Sequence, residues 1–341
     1  MTGTPAPSAS LAEIRSMLAA LPGPGEASRA AAAAREARLT KPAGALGRLE
    51  ELAAWMAAWQ DRHPPRLRRP RVAVFAGNHG VAARGVSAYP AEVTRQMVAN
   101  FVSGGAAVNQ ICRSVDADLR VYELSLEAPT ADFVSGPAMD DAECARAMAY
   151  GMMAVEQGID LVALGEMGIA NTTAASALCL ALFGGDAADW TGPGTGVAGD
   201  RLARKREAVA AGAALHAGAG DGLELLRRLG GFEFAAIAGA VVAARFARVP
   251  VLLDGFAATA AAAALLRVDP GLLDHCQVAH LSAEPAHARL CAAIGMRPIL
   301  DLGMRLGEAS GAALAVGVVR AAVECHAGMA SFDEAGVSGP A

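Results

Sequence analysis

Two glycine-bearing stretches of this chain carry the residue types that hold a phosphate. Gly165-Glu-Met-Gly-Ile-Ala-Asn-Thr-Thr173 follows the apolar run Leu161–Leu164 and opens a second apolar segment. A Gly turn leaving a strand, with Asn171, Thr172 and Thr173 opening a helix, presents free backbone N–H groups and two hydroxyls to an anion. The same residues also read as an ordinary helix N-cap. The second stretch is Thr191-Gly-Pro-Gly-Thr-Gly196, followed by the basic cluster Arg201, Arg204, Lys205 and Arg206. Glycine lets a backbone approach a ligand closely, and a lysine supplies a point charge. Two such loops in one chain point to a phosphorylated ligand. Neither is a Walker A loop, and no G-x-G-x-x-G opens a helix after the first strand, so dinucleotide binding is poorly supported.

The acids come next. Glu308 lies in Arg305-Leu-Gly-Glu-Ala-Ser-Gly-Ala312, just before the last helix-like segment. A carboxylate there is favoured by the helix dipole, so capping and acid–base chemistry both fit. Asp254 follows Val251–Leu253 singly, with Gly-Phe after it. Without a neighbouring acid to hold Mg²⁺, a pyrophosphate leaving group is not indicated, and no metal site is expected. His79, His275, His280 and His287 are not spaced to share a metal on one helix face, and Cys276 has no partner Cys. Hydrogen-bonding roles suit them better. Ser87 and Ser310 lack the G-x-S-x-G setting of a hydrolase nucleophile. Met152, Met153 and Met329 read as core-filling residues.

Composition bounds the remaining classes. The chain has 341 residues, 54% of them hydrophobic and 18% charged, with a net charge of −5. A mean hydropathy of +0.33 excludes a disordered chain. Lys and Arg number 29 against 34 Asp and Glu, which argues against nucleic acid as partner. The basic patch Arg66–Arg71 reads as a solvated loop before a strand. Six scattered cysteines without a C-x-x-C pair suit a reducing cytoplasm. Met1–Leu18 lacks the basic and apolar regions of a leader. Asn171–Phe183 is too short to cross a bilayer, and Val249–Leu266 is interrupted by Pro250, Asp254 and Gly255, so no membrane partner is expected.

These residues need a scaffold, and the hydrophobic pattern supplies one. Strand-like runs fall at Val72–Phe75, Leu119–Leu124, Leu161–Leu164, Val251–Leu253, Val278–Leu281 and Ile299–Leu302, with a weaker one at Phe234–Ile237. Helical segments lie between them near Ala91–Cys112, Asp141–Glu156, Asn171–Phe183, Arg201–Ala217, Thr259–Leu266 and Pro285–Ile294. Continuous apolar runs alternating with helices predict an α/β fold whose parallel strands are buried on both faces. Ser28–Leu39, capped by Ser28, and Gly47–Gln60 precede the alternation, and Ala309–His326 follows it. These terminal helices are expected to pack together, and Gly336–Ala341 reads as a frayed tail. Ligands of such sheets bind beyond the carboxyl ends of the strands. Ala76–Gly80, Gly165–Thr173, Asp254–Phe256, Ser282–Glu284 and Gly303–Glu308 all fall there.

With these motifs in place, the chain resembles the nicotinate-nucleotide:dimethylbenzimidazole phosphoribosyltransferases of cobalamin lower-ligand assembly. The resemblance runs over nearly the whole chain. Its pieces are Lys41–Glu50, Phe75–Val81, Gly85–Pro90, Thr94–Met97, Gly104–Asn109, Gly165–Thr173, Gly192–Gly196 with Lys205, Asp254–Phe256, His280–Glu284 and Arg305–Glu308. It implies a Rossmann-like parallel α/β domain over 66–305 and a smaller helical domain from both chain ends, 1–65 and 306–341, in a cytoplasmic homodimer. It implies transfer of ribose 5-phosphate from nicotinate mononucleotide to 5,6-dimethylbenzimidazole, with no cofactor and no metal. Glu308 matches the family's general base. Glu166, Gly168, Asn171, Thr172, Thr173, Gly194, Thr195, Gly196, Lys205, Asp254 and Ser282 fall on the nucleotide and phosphate side. Ser87, Tyr89, Gln96 and Leu306 fall on the benzimidazole side. A nucleotide-binding protein without turnover and a nucleotide hydrolase are the alternatives on the same scaffold.

Overall fold

The computed structural model describes residues 10–339. Met1–Ala9 and the last two residues of the Gly336–Ala341 tail lie outside it. Strands β1 (Pro70–Gly77), β2 (Asp118–Leu124), β3 (Leu161–Met167), β4 (Val251–Leu253) and β5 (Cys276–Val278) form one parallel sheet in the order β2-β1-β3-β4-β5. Before and between them run α1 (Leu11–Leu18), α2 (Glu26–Glu36), α3 (Arg48–Gln60), α4 (Glu92–Ser103), α5 (Ala107–Ser114), α6 (Asp141–Met152) and α7 (Asn171–Phe183). Then come α8 (Ala187–Trp190), α9 (Gly199–Leu215), α10 (Gly222–Leu229), α11 (Phe232–Phe246), α12 (Phe256–Ala263), α13 (Pro285–Ala293), α14 (Ser310–Gly328) and α15 (Phe332–Ala335).

The strands read as unbroken apolar runs because both faces are covered. Alternate residues point to opposite layers, as the two-residue period of a strand requires. Val72, Val74, Leu161, Ala163 and Leu252 share a core with α3, α5 and α14. Ala73, Phe75, Val162, Leu164, Val251 and Leu253 share the other with α6, α7, α11 and α12. On that second side α6 and α11 touch backbone to backbone. A Cβ at Gly239 would stand 2.0 Å from the Met148 carbonyl oxygen, so only glycine fits there.

The chain leaves β1 for β2 on one side of the sheet and builds β3, β4 and β5 on the other. The carboxyl ends of β1 and β3 therefore flank the switch point at which open α/β sheets take ligands. The two chain ends pack on each other. The Arg35 guanidinium donates to the carbonyls of His326 (2.8 Å), Ala327 (3.0 Å) and Met329 (2.9 Å), and Leu39 bridges Ser331. The same α3 and α14 also cover one sheet face, so these helices share the core of the strands.

Several local expectations are corrected. Phe234–Ile237 is not a strand but part of α11, whose all-round burial erases the helical period from the sequence. Ile299–Leu302 forms only a single bridge, Leu300 to His280. Ala91–Cys112 is two helices, broken at Gly104 with φ +80°. Gly25, not Ser28, caps α2, and Ser28 instead bonds Asp61. The Arg66–Arg71 patch ends inside β1, where Arg71 is buried against Asp118 and Glu156. Met153 is exposed rather than core. Among the described residues no disulfide forms, and no helix is long and apolar enough to cross a membrane.

Candidate active site

The first glycine-bearing loop is shaped by contact with the sheet. Gly168 lies on the end of β1, where a Cβ would meet the Gly77 carbonyl oxygen at 2.6 Å. The next residue donates its N–H to the buried Thr94 hydroxyl of α4 at 3.2 Å, and Ala170 takes a left-handed φ of 75° to start α7. Asn171 then donates its side-chain amide to the Glu166 carboxylate.

The second loop folds onto the first. At Gly194, with φ +54°, a Cβ would stand 2.7 Å from the Thr172 hydroxyl and 3.1 Å from Lys205 Nζ. Lys205 reaches up from α9, buried, and donates to Thr172 Oγ1 and the Gly192 carbonyl, both at 2.9 Å. Burial pulls its pKa down to about 8, with the charge of Glu284 acting in the opposite direction. A buried ammonium bonded only to neutral acceptors is set up for an anion. Segments far apart in sequence thus form one cationic wall.

Glu308 faces that wall. It sits on a tight turn with φ 63°, followed by Ala309 at φ 61°. The turn lies against β3, since a Cβ at Gly165 would meet the Ala309 nitrogen at 2.3 Å. The capping role considered for Glu308 falls elsewhere. Asp254 Oδ1 accepts from the Ala312 N–H at 2.8 Å, mooring the start of α14, while the Glu308 carboxylate accepts no hydrogen bond from the described residues. Burial first, and the nearby Asp254 second, raise the Glu308 pKa to about 7. Glu166 is pushed well above the ordinary carboxylate range, chiefly by burial and then by Glu233, Asp254 and Glu308. A carboxylate poised near neutrality and free of partners can take a proton from a bound ligand.

Glu166, Gly168, Asn171, Thr172, Gly194, Thr195, Ser282, Leu306 and Glu308 line one cleft. Lys205 stands behind its loop wall, through Thr172. Asp254 does not line the cleft but underlies it, 3.6 Å from His280. Thr173 is fully buried, and Gly196 lies exposed beyond the lining. Ser87, Tyr89 and Gln96 are not brought in. Tyr89 borders a neighbouring cleft with Asn78, His79, Glu92 and Arg95, Ser87 accepts from the Tyr89 N–H, and Gln96 is exposed on α4. His275 and His287 hold structure, whereas His280 borders the cleft with neither ring nitrogen hydrogen-bonded among the described residues. His275 bonds the Val241 carbonyl, and His287 accepts from the Ser282 N–H at 2.9 Å; burial lowers both to about 3.

Three residues near the cleft escape sequence reasoning. Glu284, buried, accepts from the Gly194 N–H at 3.1 Å, although the sequence places it at a strand end without giving it a role. Glu233 pairs with His79 at 2.5 Å beneath the Gly168 turn, but lies in the helix whose start reads as a strand. Thr94 carries no signal beyond its place in a motif.

A family model described as phosphoribosyltransferase matches residues 21–337. The chain is 54% identical over 328 residues to the nicotinate-nucleotide–dimethylbenzimidazole phosphoribosyltransferase of Brucella anthropi, covering 96% of this chain and 97% of that one. It is 56% identical over 335 residues to the protein of that name from Methylocella silvestris, covering 98% of each. The crystal structure of CobT from Thermus thermophilus superposes with a TM-score of 0.87 at 44% identity, covering 92% of this chain and 99% of that one. On this evidence the chain belongs to the nicotinate-nucleotide–dimethylbenzimidazole phosphoribosyltransferase family.

Proposed function

We propose that the protein transfers ribose 5-phosphate from nicotinate mononucleotide to 5,6-dimethylbenzimidazole, forming α-ribazole 5′-phosphate and nicotinate for the cobalamin nucleotide loop. The observation that carries this reading is the Glu308 carboxylate, buried, raised to about 7 and unpartnered, on the same cleft as the two phosphate loops. The names of the relatives supply the substrates.

The chemistry suits a single acid. In nicotinate mononucleotide the leaving ring is a cationic pyridinium, so it departs as neutral nicotinate ring nitrogen without receiving a proton. The sugar carbon passes through an oxocarbenium-like state. One benzimidazole nitrogen bonds to that carbon, and the proton on the other nitrogen goes to Glu308, which also orients the ring. Attack opposite the departing ring inverts the β-nucleotide to an α-ribotide. Gly194, Thr195, Thr172, Asn171, Ser282 and Lys205 hold the 5′-phosphate, and that remote binding positions the reacting carbon. Glu166, its pKa raised well above the ordinary carboxylate value by burial, and Gly168 shape the floor under the ribose. Leu306 borders the base, while Ser87, Tyr89 and Gln96 reach it only if the adjoining cleft takes part. In this reading residues 1–65 and 306–341 act as the smaller helical domain and 66–305 as the catalytic one. The protein works as a cytoplasmic homodimer, a state that light scattering of the purified protein measures.

The test is incubation with both substrates and mass spectrometry of the products. Nicotinate together with an α-linked ribotide is expected. Free ribose 5-phosphate would instead mark a hydrolase, and no released nicotinate a binding protein without turnover.

A further inference from the structure

We propose that Glu284 is a built-in placeholder anion: its carboxylate occupies the Gly194 N–H that a bound phosphate needs, and must withdraw for a phosphate to seat. The inference rests on the phosphate-binding role given above to the Gly192–Gly196 loop. Three observations carry it. Glu284 occupies the N-cap position of α13, where an acid ordinarily accepts from its own helix, yet it makes no such bond. Its carboxylate crosses to Gly194 instead, with oxygens 3.1 and 3.3 Å from that N–H. It also lies flat on the loop, since a Cβ at Gly192 would fall 2.0 Å from Glu284 Oε1. A backbone donor of the Gly192–Gly196 loop is therefore already serving a carboxylate.

The surroundings make this seat a temporary one. Lys205 faces Glu284 from α9 but donates to Thr172 and Gly192, not to the acid. Arg305, from the segment before α14, spends its contact on the Gly194 carbonyl at 3.4 Å. On its own side the Glu284 N–H is taken by Ser282 Oγ, and the nearby His287 serves the Ser282 backbone. Across the cleft stand Glu166 and Glu308. The carboxylate is thus buried with one backbone donor and no ion pair, and burial raises its pKa against the pull of Lys205 and Gly194. A dianion bringing more charge to Gly194, Thr172 and Lys205 displaces it. Holding the loop in its bound shape meanwhile keeps Gly194 oriented, and the competing charge rejects weaker monoanions.

Sulfate is the probe, because it is a tetrahedral dianion that does not titrate near neutrality and carries no sugar or base. Its affinity is measured by calorimetry on the full chain and on Glu284→Gln. Glu284→Gln is expected to bind sulfate about threefold tighter or more near pH 7.5, the gain for a seat filled about two-thirds of the time. Protonation of Glu284 weakens its hold on the seat, so the wild type gains sulfate affinity as pH falls, and Glu284→Gln gains less. Equal or weaker binding by the variant, or no measurable binding by either protein, overturns the proposal. If circular dichroism finds the Gln variant unfolded, Glu284→Asp, one methylene shorter, is measured against the same criteria. Failure to form the ribotide would sink the transferase reading and leave the sulfate result standing by itself.

Discussion

The backbone N–H of Glu308 donates to the carbonyl of Glu166 at 3.2 Å, which sews the turn bearing the unpartnered acid to the end of the central strand. The two carboxylates are consequently neighbours, and a Cβ at Gly307 would stand 3.0 Å from Glu166 Oε1. Burial first, and then Glu233, Asp254 and Glu308, hold the Glu166 carboxyl well above its ordinary range, while burial and then Asp254 raise Glu308.

Removing the acid while keeping its shape separates proton transfer from binding. Glu308→Gln is expected to lower kcat by about 10²–10⁴, the usual worth of a general base, with KM for nicotinate mononucleotide within about twofold. Steady-state kinetics of the folded variant checks this. A kcat near the wild-type value would assign the proton elsewhere.

The same carboxyl links activity and stability to pH with opposite signs. As a base it must be ionised, so kcat/KM rises as pH climbs through about 7. Folding strengthens its hold on the proton, so its contribution to stability is full below the ordinary carboxylate range and is lost as pH rises through about 7. The Tm of Glu308→Gln should therefore overtake that of the wild type increasingly between about pH 5 and pH 8. Parallel melting curves at the two ends of that window would contradict the assignment.

Lysine titration offers a direct view of the phosphate wall. The chain contains two lysines, Lys41 and Lys205, so carbon-labelled lysine gives two side-chain signals in NMR. Lys41 bridges Glu36 at 2.9 Å and Glu50 at 2.7 Å and is raised above its usual value. Lys205 should titrate near 8 in the free protein and move upward when an anion binds. Lys205→Ala should weaken mononucleotide binding by about tenfold or more, the loss of one charge-assisted contact, as calorimetry reads. An unchanged affinity would remove Lys205 from the phosphate site.

A last prediction concerns packing far from the cleft. Gly239→Ala places a methyl group 2.0 Å from the Met148 carbonyl oxygen, forcing α6 and α11 apart. A loss of about 1–3 kcal/mol is expected, the usual cost of overpacking, with kcat per folded molecule preserved. Denaturant unfolding together with active-site titration measures both halves.

The strands and the turns of the two glycine-bearing loops were legible in the sequence because their cause is local. Val72–Phe75 and Leu161–Leu164 are apolar throughout since both faces are covered, and Gly165–Thr173 announces a turn followed by a helix start. Ile299–Leu302 failed because a short run, itself interrupted by Asp301, says nothing about whether a neighbouring strand has room to pair. Phe234–Ile237 failed because a helix buried all round has no polar face to reveal its period, and Glu233 was hidden with it. Glu284 fell within a segment placed at the ligand end, yet its role was hidden for another reason. Its partner Gly194 lies on a different loop, and only the folding of both onto Lys205 brings them together. Residues that act across distant segments leave little trace in either one.

The mooring of α14 by Asp254 has a consequence for synthesis. Both glycine-bearing loops, the sheet and Asp254 emerge from the ribosome ahead of Glu308, whose turn is then tied to the Glu166 carbonyl and, through Ala312, to Asp254, with Arg35 gripping the far end of the helix. We expect a nascent chain to acquire its grip on anions before it owns any means of turnover, so translation itself imposes an order in which recognition precedes reactivity. Ribosome-stalled chains ending before and after α14 would display that order.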